Sequence, residues 1–314
     1  MTDTAEKTSL DINELKSGGF IKERQDDLFT LRIRVPAGRI TSEKLRKVAE
    51  VAERYGTGLL HTTVRQSLEI LHVDRAVIDS VRKELGEAGL GIASCGPRVR
   101  VPTACGGCDY NPNGITDTVK MSLEVDRLFF GTQCPHKFKV SFSGCPIDCA
   151  RTREMDLGFQ GVVEPVWDRE LCDQCGACIL ACEDGAIVKD DDGFPRHIPE
   201  KCIYCGDCIK VCPSSAWQEK RKGHLVRVGG KHGKHPLMAY EVAIFVGDDK
   251  VPELVRKTTE WYASNGKKRE RIGATLSRVG LTKYLDEVIK PLGLQVIATD
   301  RERKRYWLAG NLYQ

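Results

Sequence analysis

Residues 172–182 read CDQCGACILAC, and residues 202–213 read CIYCGDCIKVCP. Both carry the spacing C-x2-C-x2-C-x3-C: Cys172, Cys175, Cys178 and Cys182, then Cys202, Cys205, Cys208 and Cys212. The second run lies 30 residues after the first and ends in Pro213, so one structural unit is repeated. A tight loop at Gly176 or Gly206 aims three thiolates at one cubane, and the fourth thiolate, further along, ligates the other. By that rule Cys172, Cys175, Cys178 and Cys212 hold one 4Fe–4S cluster. Cys202, Cys205, Cys208 and Cys182 hold the second. A pair of zinc ribbons is the competing reading, but three close cysteines with a crossed fourth make a poor zinc pattern.

Over about 45 residues this stretch resembles a bacterial-type two-cluster ferredoxin. One departure is Glu183, where a proline follows the last cysteine of the other run. Residues 168–215 carry ten acids and five bases, net −5, so the rest of the +4 chain carries +9. An acidic module thus sits inside a basic host. Ferredoxin modules move single electrons, so the host should be redox-active.

The 314-residue chain is 41% hydrophobic and 29% charged, which excludes a mostly disordered protein. No apolar run is long enough to span a membrane. The N-terminal stretch lacks a basic region followed by an apolar core, so no secretory signal is read and a cytoplasmic location is expected. Fourteen cysteines without such a signal point to metal ligands rather than disulfides. A net charge of +4 is too small to argue for nucleic acid.

Residues 1–19 are polar, end in Ser17, Gly18 and Gly19, and read as a flexible lead-in. Residues 28–35 (LFTLRIRV) alternate apolar and basic, which predicts a strand with Arg32 and Arg34 on one face. Residues 42–55 have helical periodicity and an incomplete capping box at Ser42, with Leu45 where Glu belongs. Residues 59–73 predict one or two strands, and 74–88 a helix closed by Gly89. Residues 95–117 predict loops, 119–128 a helix, and 137–142 (KFKVSF) a strand. A basic loop at Lys220, Arg221 and Lys222 follows the insertion. It leads to strands at 225–228 and 240–246 and helices at 251–264 and 279–289. The lysine-rich stretch at 267–271 reads as a solvated face.

Outside the repeat stand Cys95, Cys105, Cys108, Cys134, Cys145 and Cys149. Cys145 and Cys149 form C-x3-C on a Gly/Pro turn, and Cys105 and Cys108 form C-x2-C. The two pairs, about 40 residues apart, can close one four-thiolate site, and spacing alone leaves zinc and iron–sulfur open. Cys134 is a second candidate for the place of Cys108. Cys95 reads as a small buried hydrophobe.

Five stretches then match one family in order: 31–38 (LRIRVPAG), 62–66 (TTVRQ), 95–100 (CGPRVR), 135–139 (PHKFK) and 143–149 (SGCPIDC). The chain resembles the siroheme-dependent sulfite and nitrite reductases over roughly residues 25–245. Within them it is similar to the dissimilatory sulfite reductases and to the anaerobic sulfite reductase polypeptide that bears a similar ferredoxin insertion. The resemblance implies an α+β fold: a single-repeat reductase core with the two-cluster ferredoxin module inserted. The expected parts are a ferredoxin-like α/β half-domain at 20–94, then a siroheme and 4Fe–4S domain at 95–167 and 216–314. Residues 168–215 interrupt that domain.

The resemblance further implies siroheme coupled to a third 4Fe–4S cluster through a shared thiolate, here Cys149. Cys105, Cys108, Cys145 and Cys149 are the implied cluster ligands, although the family's first pair is usually C-x5-C. Gly106 and Gly107 permit the tighter loop. Arg34, Arg100, Lys137 and Lys139 match the family's substrate-contacting cations, and Arg65 an arginine that contacts siroheme. Sulfite and the siroheme carboxylates both need such cations, since an uncompensated buried anion is costly. His61, His72 and His136 read as structural or supporting residues rather than metal ligands.

Monomeric family members carry two copies of the core repeat. Without the 48-residue insertion, 266 residues and one copy of each motif remain here. At least a homodimer, or a pairing with a related subunit, is therefore expected, with composite active sites. The implied activity is six-electron reduction of sulfite to sulfide, with nitrite reduction as an alternative. A third reading is a non-catalytic siroheme or iron–sulfur electron-transfer subunit. No G-x-G-x-x-G motif appears, so an electron-donor protein or subunit is expected.

Overall fold

The computed structural model describes residues 15, 16 and 18–297. Of the expected lead-in, only its last few residues are described; Leu15 there is fully buried, so that end is packed. The first unit runs β1 (Phe20–Lys22), β2 (Leu28–Ile33), α1 (Ser42–Tyr55), β3 (Leu60–Thr62), β4 (Leu68–Asp74) and α2 (Ile78–Glu87). Its four strands form an antiparallel sheet in the order β1-β2-β4-β3. Alternation sends Phe29, Leu31 and Ile33 inward, where they join Val48, Val51 and Ala52 of α1 and Val81 and Leu85 of α2. Helix α1 has the expected bounds but another cap: the Thr41 hydroxyl accepts from Lys44 N at 3.3 Å. Thr41→Ala is therefore expected to lower stability by about 1 kcal/mol, read by urea denaturation, while Ser42→Ala has little effect.

The second unit is a six-stranded mixed sheet. Its strands are β5 (Thr103–Ala104), β6 (Val140–Ser143), β7 (Leu157–Trp167), β10 (Trp217–Val228), β11 (Tyr240–Val246) and β12 (Gln295–Val296). The order is β12-β11-β10-β7-β6-β5; β5, β6 and β7 run parallel and the other neighbours antiparallel. Helices α3 (Gly107–Tyr110), α4 (Thr118–Phe129), α7 (Val251–Asn265), α8 (Ile272–Val279) and α9 (Leu281–Tyr284) complete it. Phe138, Phe142, Phe159, Tyr262 and Tyr284 are fully buried in its core.

Three expectations change here. Lys220, Arg221 and Lys222 lie in strand β10, not in a loop, and Lys220 and Arg221 pair with Glu164 across the ladder. The helix at Ile272–Val279 goes beyond the sequence expectation, and Gly280 separates it from the next turns. The strand expected from Lys137 begins at Val140.

Residues 168–215 leave and re-enter the sheet at adjacent points. Trp167 of β7 and Trp217 of β10 are register partners, and Asp168 N donates to Ala216 O at 2.8 Å. An insertion whose ends meet in this way lengthens a hairpin turn without disturbing the strands. Within it lie α5 (Ala177–Ala181), the small hairpin of β8 (Ile187–Lys189) and β9 (Pro195–His197), and α6 (Asp207–Lys210). The 30-residue repeat is structural as well. Positive φ falls at Gln174 and Tyr204, Gly176 and Gly206, and Gly185 and Ser215.

Candidate functional site

Two cavities in the insertion are each lined by four cysteines. One, about 330 Å³, is lined by Cys172, Cys175, Cys178 and Cys212. The other, about 370 Å³, is lined by Cys182, Cys202, Cys205 and Cys208. Each takes three thiols from one run and the fourth from the other, because α5 and α6 lie side by side. Burial pushes the Cys205 thiol up to about 11 and Cys208 up to about 12, so at neutral pH these sulfurs are protonated unless a cation balances them. Among the described residues no three His, Cys, Asp or Glu side chains converge tightly enough for a single ion.

A third group of thiols lies at the ends of two parallel strands. Cys105 follows β5 and Cys145 follows β6. The loops touch because Gly144 has no side chain: a Cβ there would sit 2.7 Å from Gly107 Cα. Gly144 N donates to Cys105 Sγ at 3.1 Å, and Gly107 N to the same sulfur at 3.4 Å. Burial raises the Cys145 thiol, and Cys105 and Cys149 add to the rise, so these three share one electrostatic neighbourhood. Cys108 sits in the same tight loop and is exposed. Cys134 instead is buried in the core beside Phe138, and burial pushes it up to about 12.

The cations gather at the opposite ends of those strands. A cavity of about 530 Å³ is lined by Arg32, Arg65, Ser67, Ser94, Arg100 and neighbouring residues. The Nε atoms of Arg65 and Arg100 and the Ser94 hydroxyl are buried without a protein partner, so they are free to meet a polar ligand or water. Arg65 is held by a bond from Nη2 to Val101 O at 2.6 Å. Burial, with Arg100 nearby, lowers it to about 10. Phe138, fully buried and bridged to Val99, turns inward, so Lys137 and Lys139 on either side of it turn the other way even outside a regular strand. Burial and then Arg65 and Arg271 lower Lys139 to about 8; burial with Arg271 and Arg100 lowers Lys137 as well.

The cation group is anchored by Asp156. This fully buried carboxylate accepts from Arg271 Nε at 2.9 Å and Nη2 at 2.6 Å, and from Lys139 N at 2.9 Å. Arg271 is thus buried and paired, not part of a solvated face as its lysine-rich neighbourhood suggests. Arg34 stands apart. It forms a 2.6 Å ion pair with Asp126 and stacks 3.9 Å over the Phe130 ring, while its strand neighbour Arg32 lines the cavity. Cys95 is buried, but against a cation: Arg32 Nη1 donates to its sulfur at 3.5 Å. The sequence does not single out Arg32, Asp156 or Arg271 as site residues. Their signal, a partner more than 30 residues away, exists only in three dimensions. His61 pairs with Glu69 and His72 with Glu23, in keeping with structural roles.

With this geometry in hand, the chain matches two family profiles. Residues 95–296 match the nitrite and sulphite reductase 4Fe–4S domain, and residues 21–88 match the nitrite/sulfite reductase ferredoxin-like half domain. The chain belongs to the nitrite and sulphite reductase family. It is 32% identical to the coenzyme F420-dependent sulfite reductase of Methanocaldococcus jannaschii over 86% of its own length but only 44% of that protein. It is 28% identical to an anaerobic sulfite reductase subunit of Salmonella typhimurium over 88% of each chain. Its fold matches the crystal structure of dissimilatory sulfite reductase I with a TM-score of 0.71 at 21% identity, covering 90% of this chain and 73% of the other. Among the described residues no helix is long and apolar enough to cross a membrane.

Proposed function

We propose that this chain is the catalytic subunit of a siroheme-dependent reductase that converts sulfite to sulfide by six electrons. Residues 168–215, holding two 4Fe–4S clusters, would be the electron entry. The observation that carries the reading is the cation-lined cavity with its unpartnered Arg65, Arg100 and Ser94 atoms. Such a site fits an oxyanion and the carboxylates of siroheme. Cys105, Cys108, Cys145 and Cys149 would hold the third cluster, with Cys149 the thiolate shared with siroheme. Bound there, siroheme supplies an iron with an open face, electronically joined to a cluster that stores electrons.

The chain's own groups supply charge and protons. Arg65 and Arg100 compensate anionic charge, and Lys137 and Lys139 hold protons where oxygen is lost as water. Arg34, tied to Asp126, does not line this cavity.

Cations and thiols stand at opposite ends of the same strands. Six residues separate Lys139 from Cys145, a reach of up to about 20 Å. That separation favours a dimer in which one chain's cations face another chain's thiols. Sedimentation of a stable, fully active monomer would overturn this.

Lys139 makes the reading pH-dependent. Its folded value of about 8 lies below the ordinary 10.5. Between these values the folded chain binds fewer protons than the unfolded one. Its contribution to stability is therefore unfavourable below about pH 8 and is relieved as pH rises. Anion affinity runs the other way and falls as pH rises through about 8. Lys139→Met is expected to remove that limb of the sulfite profile and cut turnover while leaving the absorption spectrum unchanged.

The deciding experiment is anaerobic purification, acid-acetone extraction of tetrapyrrole, and turnover with reduced methyl viologen. About one siroheme per chain with faster sulfite than nitrite turnover supports the proposal. Preference for nitrite moves the substrate within the family. Clusters without siroheme, despite a supplied siroheme pathway, leave an electron-transfer subunit.

A further inference from the structure

The insertion is not tethered to the host only through its two ends. Lys210, in α6 between Cys208 and Cys212, reaches out of the insertion: its Nζ lies 3.1 Å from Asn113 Oδ1 and 3.0 Å from Asp207 Oδ1. Asn113 belongs to the turn that presses on the host cysteine loop. A Cβ on its neighbour Gly114 would stand 2.2 Å from Gly107 O and 2.4 Å from Cys108 N. A groove of about 730 Å³ runs between the two sides, lined by Cys145, Pro146 and Ile147 of the host and by Cys182, Cys205 and Lys210 of the insertion. A second fastening, from Val163 N to Tyr204 O at 3.0 Å, fixes the same inner cysteine loop to β7. The Cys172, Cys175, Cys178 and Cys212 cavity has no lining residue from the host thiol loops.

We infer that Lys210 is the positioning residue of the junction where electrons pass from the insertion to the host thiol site. The inner set, Cys182, Cys202, Cys205 and Cys208, is then the one that faces the host, and the other set is the outer one. This rests on the reading that all three thiol groups hold clusters. One electron crosses at a time, and no bond is made or broken at the junction. Lys210 and Cys145 line the same groove, which puts the Lys210 charge at the host thiol site. A cation beside a cluster favours its reduced form, so Lys210 would both close the gap and raise the host site's potential.

The test is an anaerobic redox titration followed by EPR on the holoprotein, with iron counted per chain. Lys210 is 40% exposed, so its substitution leaves the core intact. Lys210→Gln is expected to lower the midpoint potential of the host or inner cluster, Lys210→Glu to lower it further, and Lys210→Arg to restore it. The outer cluster, whose ligand Cys212 lies two residues from Lys210, should move less. Unchanged potentials in Lys210→Glu, or a shift confined to the outer cluster, would overturn the inference. A wild-type chain with iron for fewer than three clusters would instead overturn the cluster reading beneath it.

Discussion

Asp156→Asn lowers the stability of the folded chain by about 3–5 kcal/mol, read as a shift in the urea midpoint. The carboxylate is fully buried and receives two bonds from Arg271 and one from Lys139 N. Replacing it with an amide leaves Arg271, itself 9% exposed, as a buried cation without a counter-ion. The neighbours worsen the loss, because Arg65, Lys137 and Lys139 all lie within electrostatic reach of Arg271 or Asp156. The paired variant Asp156→Leu with Arg271→Met should recover most of the stability, since a matched apolar pair leaves no charge unpaired. It should not recover anion binding at the cavity, where Asp156 also fixes the backbone of Lys139. A loss below about 1 kcal/mol in Asp156→Asn would mean that water reaches the pair and that Asp156 does not anchor the cation group.

The second large effect concerns the crossed cysteines. Cys212→Ser should remove the same spectroscopic signal as Cys175→Ser, although 37 residues separate the two. Cys182→Ser should remove the same signal as Cys205→Ser. Each change is expected to cost about four irons per chain, with the other cluster retained. The prediction follows from the cavities, each of which joins three thiols of one run to the last thiol of the other. Loss of the Cys205 signal in Cys212→Ser would show that each run closes its own site, and the crossed arrangement would be wrong.

Local signals are legible where one segment holds all the physics. Residues 42–55 form a helix with the expected bounds because periodicity and the flanking Gly56 act within it, yet the cap falls on Thr41, one residue earlier. The strand at Leu28–Ile33 follows its alternation. Lys220, Arg221 and Lys222 read as a loop because three adjacent cations have no apolar partner in the chain; Glu164 and the register of β7 make them a strand. Likewise Arg271 lies among charged neighbours, and only its distant partner Asp156 shows that it is buried.

Two cysteine runs, their spacing and five ordered motifs were enough, from the residues alone, to indicate the family and the grouping of the insertion's thiols around two cavities. Metal ligation imposes fixed spacing on a short loop, and that spacing survives in one dimension. Tertiary structure decided what depends on pairs far apart in the chain. It put Arg32 rather than Arg34 at the cavity, Cys134 in the core, and Asp156 beneath the cations. Charges and thiols act through distance in space, and distance along the chain does not carry that information.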